Sequence, residues 1–163
     1  MNESDNLTAE LFIKSIGALD TLPGTWETGL DSVKSFLAEQ VKIDTSNIRL
    51  ADGSGVSRYT LTNSEQLISL LSWVYNSKHK NDFISTLPGG GWPKSTLEKR
   101  LIEEGGRVRA KTGGLSGARN LAGYIDSPKY GTVAFSILMN GYIGSSSKHR
   151  YVQNQIVKTI IYD

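Results

Sequence analysis

The residues best equipped to act on a ligand are Lys111, Thr112 and Gly113, set within Arg107-Val108-Arg109-Ala110-Lys111-Thr112-Gly113-Gly114-Leu115-Ser116-Gly117. Alternation predicts a strand over 107–112 that runs into a glycine-rich turn over 113–117. A period of two puts Arg107, Arg109 and Lys111 on one face and Val108, Ala110 and Thr112 on the other. Lys111 and Thr112 can therefore serve one ligand only if the strand borders a cleft. Gly113 removes a side chain where an extended peptide could lie alongside. An ammonium, a hydroxyl and bare backbone together suit a peptide carboxylate held by strand addition. Three common residues recur by chance, however. Taken alone, the stretch is better accounted for by an edge strand with a solvated basic face and a turn.

Four other groups could carry chemistry. Ser4-Asp5-Asn6 precedes a helical run, where its simplest role is an N-cap. Asp52-Gly53-Ser54-Gly55-Val56-Ser57-Arg58 marks a tight backbone path. It lacks the Gly-x-Ser-x-Gly elbow, so Ser54 is discounted as a nucleophile. Ser77-Lys78-His79-Lys80 and Ser145-Ser146-Ser147-Lys148 have Ser-x-x-Lys spacing but fall in polar segments. A reactive serine needs a helix start in a packed core, where its lysine is desolvated. Both are therefore read as solvated surface. His79 and His149 sit beside lysines with no second ligand and read as surface histidines, so no metal or cofactor is expected.

The elements that must position these groups follow from periodicity. Leu7, Leu11, Phe12, Ile16 and Leu19 predict a first helix, with Gly17 a possible end and a turn at Thr21–Gly24. Leu30, Val33 and Leu37 predict a second helix over 30–40. Thr62 and Glu65 form a capping box opening a third, with Leu67, Leu70, Leu71 and Val74 on one face. Residues 76–82 read as a polar loop, 83–87 as an apolar turn and 95–103 as a short helix. Trp26, Trp73 and Trp92 read as core or loop anchors. Strands at 107–112, 120–125 and 132–139 with short connections predict an antiparallel meander. A last helix over 148–162, bearing Tyr151, Ile156 and Ile160, would cover it. Helices first and sheet later give an α+β fold without internal repeats or a second domain.

Composition narrows the function classes. At 163 residues with 38% apolar content, the chain can bury a core, and a net charge of +2 is too small to imply nucleic acid or a membrane surface. No apolar stretch approaches the roughly 20 residues of a membrane span. Zero cysteines exclude disulfides and thiolate metal sites. The polar start, Met1 to Asn6, has no signal-peptide pattern. The chain is expected to be either cytoplasmic or a piece whose export signal lies upstream.

Ser4-Asp5-Asn6-Leu7-x-Ala9-Glu10, Asp52-Gly53-Ser54-Gly55-Val56-Ser57-Arg58, and Arg109-Ala110-Lys111-Thr112-Gly113-x-Leu115-x-Gly117 with Leu121-Ala122-Gly123-Tyr124 occur in that order. Together they resemble the D-Ala-D-Ala carboxypeptidase/endopeptidase family of class C low-molecular-weight penicillin-binding proteins, peptidase family S13. That family lines one cleft with Ser-x-x-Lys, Ser-x-Asn and Lys-Thr-Gly. The resemblance implies a penicillin-binding-protein fold shared with serine β-lactamases, and acyl-enzyme chemistry on peptidoglycan stem peptides that β-lactams trap. It further implies that Ser4 relays a proton to the leaving amine and that Asn6 holds a substrate amide or the nucleophile's lysine. Lys111 would support Ser4, and Thr112 would bind the terminal carboxylate. The backbone at Gly113 and Gly114 would pair with substrate, the Gly114 N–H joining the oxyanion hole. Asp52, Gly53, Ser54, Gly55 and Arg58 would form a structural motif.

Two departures stand out. Gly114 replaces the family's usual Thr or Ser, and losing such a hydrogen bond to a charged group costs about 1.5–3 kcal/mol. No Ser-x-x-Lys precedes Ser4. The expectation is one C-terminal portion of a catalytic domain over 1–163, inactive alone and envelope or periplasmic in setting. Its partner would be the N-terminal half, which supplies the nucleophile. Uncovered surfaces would favour dimers or aggregates. The alternatives are a class A β-lactamase-like fragment, for which no Glu-x-x-x-Asn is found, and a non-catalytic peptide-binding module.

Overall fold

Alternating residues beyond Arg107 build a three-stranded antiparallel sheet, β1 (Val108–Leu115), β2 (Ala118–Ser127) and β3 (Gly131–Asn140), in the order β1-β2-β3. The computed structural model describes residues 1–20 and 22–163, so the turn expected at Thr21 falls partly outside the described residues. Five α-helices complete an α+β fold: α1 (Asn6–Asp20), α2 (Trp26–Glu39), α3 (Ser64–Tyr75), α4 (Lys80–Thr86) and α5 (Ser147–Tyr162). The described chain divides into two compact units, Met1–Ser4 with Leu71–Asp163, and Asp5–Leu70. Among the described residues, no helix is long and apolar enough to cross a membrane.

In the first unit the sheet separates two apolar clusters. Val108, Ala110, Leu121, Ile125 and Phe135 pack with Leu97, Leu101, and Val157 and Ile161 of α5. The buried face of α5 is therefore Gln153, Val157 and Ile161; the expected Tyr151 and Ile156 lie outside it. On the other face Tyr124 is buried with Leu71 and Leu87, flanked by Tyr75, Phe83 and Ile84. The Tyr124 hydroxyl donates to the Leu71 carbonyl at 2.7 Å. Burial, then the neighbouring Tyr75, push its pKa up to about 12.

Several local expectations need correction. Residues 80–86 form a helix rather than loop and turn, because Phe83 and Ile84 gain an apolar surface to pack on. No helix forms over 95–103: the carbonyls of Leu97 and Arg100 accept from the Gly91 N–H, and Leu101 has φ +52°. β1 continues through Gly113 and Gly114, and the turn shrinks to Ser116 and Gly117 between the paired Leu115 and Ala118. Only Gly117, at φ +75°, takes the left-handed conformation there.

In the second unit, Gly17 lies inside α1 rather than at its end. A side chain there would strike the Thr28 hydroxyl and the Gly29 amide, so the glycine permits α1 and α2 to touch. α2 begins earlier than its apolar pattern suggested, because Thr25 and Thr28 exchange capping bonds. At α3 the reciprocal pair is Asn63 and Gln66, with bonds of 2.9 and 3.0 Å, rather than Thr62 and Glu65. Asn caps as well as Thr, so one residue's slip leaves the motif intact. Most of the expected apolar stripe of α1 is not core: Leu7, Leu11, Phe12 and Leu19 are 67, 54, 65 and 85% exposed.

Candidate functional site

Edge geometry decides what β1 can offer. The Ala110 N–H donates outward to the Pro88 carbonyl at 3.0 Å, and Arg109 forms a bridge with Gly89. Backbone direction alternates along an antiparallel strand, so Thr112 and Gly114 also turn their N–H and C=O groups outward. Among the described residues, β1 pairs only with β2 along that stretch. Two outward-facing residues with no paired strand therefore follow Ala110.

Lys111 stands beside this edge. Its Nζ donates to Ser4 Oγ at 2.7 Å and to the Thr112 carbonyl at 2.6 Å. Burial penalises the ammonium and lowers its pKa from the usual lysine value. Ser4 is held in the left-handed region at φ +57°, a conformation that costs a non-glycine residue about 1–2 kcal/mol. The Thr96 N–H bonds the Asn2 carbonyl at 3.3 Å and helps hold the Met1–Ser4 strand of chain in this unit. The structure thus brings Ser4, Lys111, Thr112, Gly113 and Gly114 together. Asn6 opens α1 in the other unit and is exposed. Asp5 takes the capping role, accepting from the Leu7 N–H at 2.9 Å and the Thr8 hydroxyl at 2.8 Å.

One neighbour of this edge was missed from sequence. Arg119 is the cross-strand partner of Gly114, and its guanidinium fills the space a side chain at 114 would take. Only the strand register reveals this. Arg100, near enough for the charge of Arg119 to act on it, is bonded to Gln153 at 3.0 Å and Asn154 at 2.8 Å. Burial, then the charges of Arg150 and Arg119, lower its pKa to about 10, so it stays charged at neutral pH.

The Asp52–Arg58 segment has a different character. Asp52 accepts from the Thr60 hydroxyl at 2.6 Å, the Ser57 N–H at 2.9 Å and the Ser54 hydroxyl at 3.0 Å. Burial works against its charge, but these bonds outweigh it and hold the carboxyl below its usual range. Glu10 of α1 accepts from the N–H groups of Gly53 and Ser54, both at 3.0 Å, and from Trp26 Nε1 at 2.9 Å. Hydrogen bonding from Ser54 is the largest influence lowering its pKa. A side chain at Gly53 would meet the Ala9 carbonyl and Ile13, and Gly55 has φ +75°. Glu10 stands in the first signature read from sequence, but its partners, more than forty residues away, were not legible there.

Neither Ser-x-x-Lys decoy pairs its serine with its lysine. Ser77 Oγ donates to the Val74 carbonyl at 2.8 Å, while Lys80 lies 3.5 Å over the Tyr75 ring. Ser145 bonds Ser147 at 2.9 Å. His149 is not a free surface histidine: it stacks on Tyr142 with ring centres 3.7 Å apart. Among the described residues, no group of three or more His, Cys, Asp or Glu could hold a metal.

Comparison with known proteins completes the picture. The D-Ala-D-Ala carboxypeptidase 3 (S13) family matches residues 1–160. A D-alanyl-D-alanine carboxypeptidase of Actinomadura sp. is 36% identical over 150 residues, covering 88% of this chain and 28% of the relative. The D-alanyl-D-alanine carboxypeptidase DacB of Haemophilus influenzae is 32% identical over 151 residues, 87% of this chain and 30% of the relative. The chain thus spans under a third of the length of these relatives, and it matches their C-terminal part. Among solved structures, penicillin binding protein 4 of H. influenzae, complexed with a β-lactam, superposes with a TM-score of 0.88 at 28% identity. That match covers 99% of this chain and 40% of the other. A predatory endopeptidase of Bdellovibrio bacteriovorus in complex with an immunity protein shares the fold, with a TM-score of 0.77 at 24% identity over 98% of this chain and 41% of that one. With the family match running almost end to end, the chain belongs to the D-Ala-D-Ala carboxypeptidase 3 (S13) family.

Proposed function

We propose that this chain supplies one wall of the cleft of a serine-type D-Ala-D-Ala carboxypeptidase/endopeptidase acting on peptidoglycan stem peptides. The observation that carries it is the 2.7 Å bond from half-buried Lys111 to Ser4, a serine held in a strained conformation next to an open strand edge. Strain of this kind persists where surrounding structure enforces it, and it concentrates at functional sites. A substrate peptide adds to β1 through the outward backbone of Thr112 and Gly114, with Gly113 leaving the approach clear. The Thr112 hydroxyl binds the terminal carboxylate, and the Gly114 N–H stabilises the oxyanion. Ser4 passes a proton to the leaving amine, and Lys111, already destabilised as an ammonium, backs that transfer. The family resemblance alone assigns Asn6 to a substrate amide or to the lysine of the nucleophile motif.

The nucleophile itself lies outside these 163 residues. The domain is one C-terminal portion of a penicillin-binding catalytic domain, and β-lactams engage the same cleft in the intact protein. An envelope or periplasmic setting follows from the substrate. The exposed stripe on α1 and the outer edge of β3 are surfaces for the remaining part of the catalytic domain, and without it they favour self-association.

Two measurements on the purified chain test this reading. Fluorescent penicillin is expected to leave no covalent label. An N-acylated peptide ending in D-Ala-D-Ala is expected to shift the backbone amide resonances of residues 111–115. Covalent labelling would overturn the absence of a nucleophile, and silence along β1 would overturn the peptide site.

A further inference from the structure

Position 114 lacks a side chain, yet its surroundings are not empty. A methyl group at Gly114 would collide with Arg119 Nη1 and lie 2.8 Å from Arg119 Cζ. The two residues are directly paired, and they share their sheet face with Thr112, which pairs with Leu121 two residues along. The guanidinium thus lies over Gly114, the last outward-facing residue of β1, on the sheet face that also carries the Thr112 side chain.

That guanidinium is anchored at its base and unspent at its tip. The Arg119 carbonyl accepts from Gln153 Nε2 at 3.0 Å. Gln153 is fully buried, and its other amide atom accepts from Arg100 at 3.0 Å. At the tip, the side chain makes a long donation of 3.4 Å to the Ala118 carbonyl, and no described carboxylate forms an ion pair with it. Arginine offers five N–H donors in a planar fork that matches a carboxylate in two parallel bonds. A half-buried fork with no described ion pair, at the end of an unpaired strand edge, has the donors that a carboxylate needs.

We propose that Arg119 is a specificity-determining residue that binds the free α-carboxylate of the peptide paired with β1, replacing the hydroxyl that Gly114 lacks. This rests on the peptide-cleft function proposed above and sharpens it. Gly114 and Arg119 form a matched pair: any side chain at 114 displaces the guanidinium, so the glycine makes room for the arginine. The terminal carboxylate then meets a cation and the Thr112 hydroxyl rather than two hydroxyls.

Amide-resonance titrations of the 163-residue chain test this with one N-acylated D-Ala-D-Ala peptide, supplied as the free acid and as the C-terminal amide. The wild-type chain is expected to bind the acid at least about tenfold more tightly, the smallest loss expected for a hydrogen bond to a charged group. Arg119→Gln is expected to bind both peptides alike. Arg119→Lys, which keeps charge without the fork, should retain part of the preference. Gly114→Ala, which pushes the guanidinium aside without removing it, should lose most of it, and decides the matter should Arg119→Gln fail to fold. A folded Arg119→Gln chain that still prefers the acid overturns the role of Arg119 and leaves the peptide cleft standing. A wild-type chain whose β1 resonances respond to neither peptide overturns both.

Discussion

The two polar clusters of this chain, one around Asp52 and one around Lys111, are built from equally short motifs and behave in opposite ways. Around Asp52 and Glu10, donors outnumber obstacles: hydroxyls and backbone N–H groups converge on the carboxylates and lower their pKa values. The charge is welcome there, and the cluster ties a loop to a helix. Around Lys111 the charge is resisted, since burial lowers its pKa, and the serine it contacts is strained. That contrast is what the proposed peptide cleft at Lys111 and an architectural role at Asp52 require.

Substitutions can break this contrast. The largest effect is expected from Asp52→Ala, which strips three hydrogen-bond donors of their acceptor and should cost about 2–4 kcal/mol in urea denaturation. A neutral outcome would mean that the Asp52 cluster is not the structural one. Lys111→Met should move stability the other way, raising it by about 1 kcal/mol as a half-buried charge gives way to an apolar chain. The same change should weaken peptide binding at β1 at least about tenfold. Destabilisation with intact binding would invert the assignment.

Ser4 offers a finer test. Ser4→Gly relieves the left-handed backbone while Ser4→Ala does not, so the glycine variant should be more stable than the alanine one by about 1 kcal/mol. Equal stabilities would remove the strain from the site.

The smallest effect is in pH. The folded-state pKa of Lys111 lies below its unfolded value of 10.5, so between the two the unfolded chain holds more protons and stability rises with pH. Glu10 and Asp52 have folded values below 4.5 and 3.8, so their contribution is full above those values and is lost as pH falls through the folded ones. Denaturation midpoints across both windows should therefore fall with acid and climb with alkali. The alkaline rise should vanish in Lys111→Met.

What could be read from sequence follows the same division. The α+β order, the meander and the Lys111 stretch were legible because alternation and short motifs are local. The extent of β1 was not, since glycines at 113 and 114 signal a turn as readily as an open strand, and only Gly117 needs the turn conformation. Arg119 stayed hidden because its role depends on register, and Glu10 because its partners lie far along the chain. The apolar stripe of α1 was legible as a pattern, but periodicity does not say whether a face meets this chain's own core. Leu11 and Phe12 lie outside it.

The brevity of the hairpin after β1 has a consequence of its own. Pro88 occupies the partner position opposite Ala110, and the chain reverses at Ser116 and Gly117, so the rim between them that no described strand pairs, where Lys111 Nζ bonds the Thr112 carbonyl, is two rungs tall. A rim of that height acts as a gauge. Its two rungs set an upper limit on how much of an extended peptide can pair with β1.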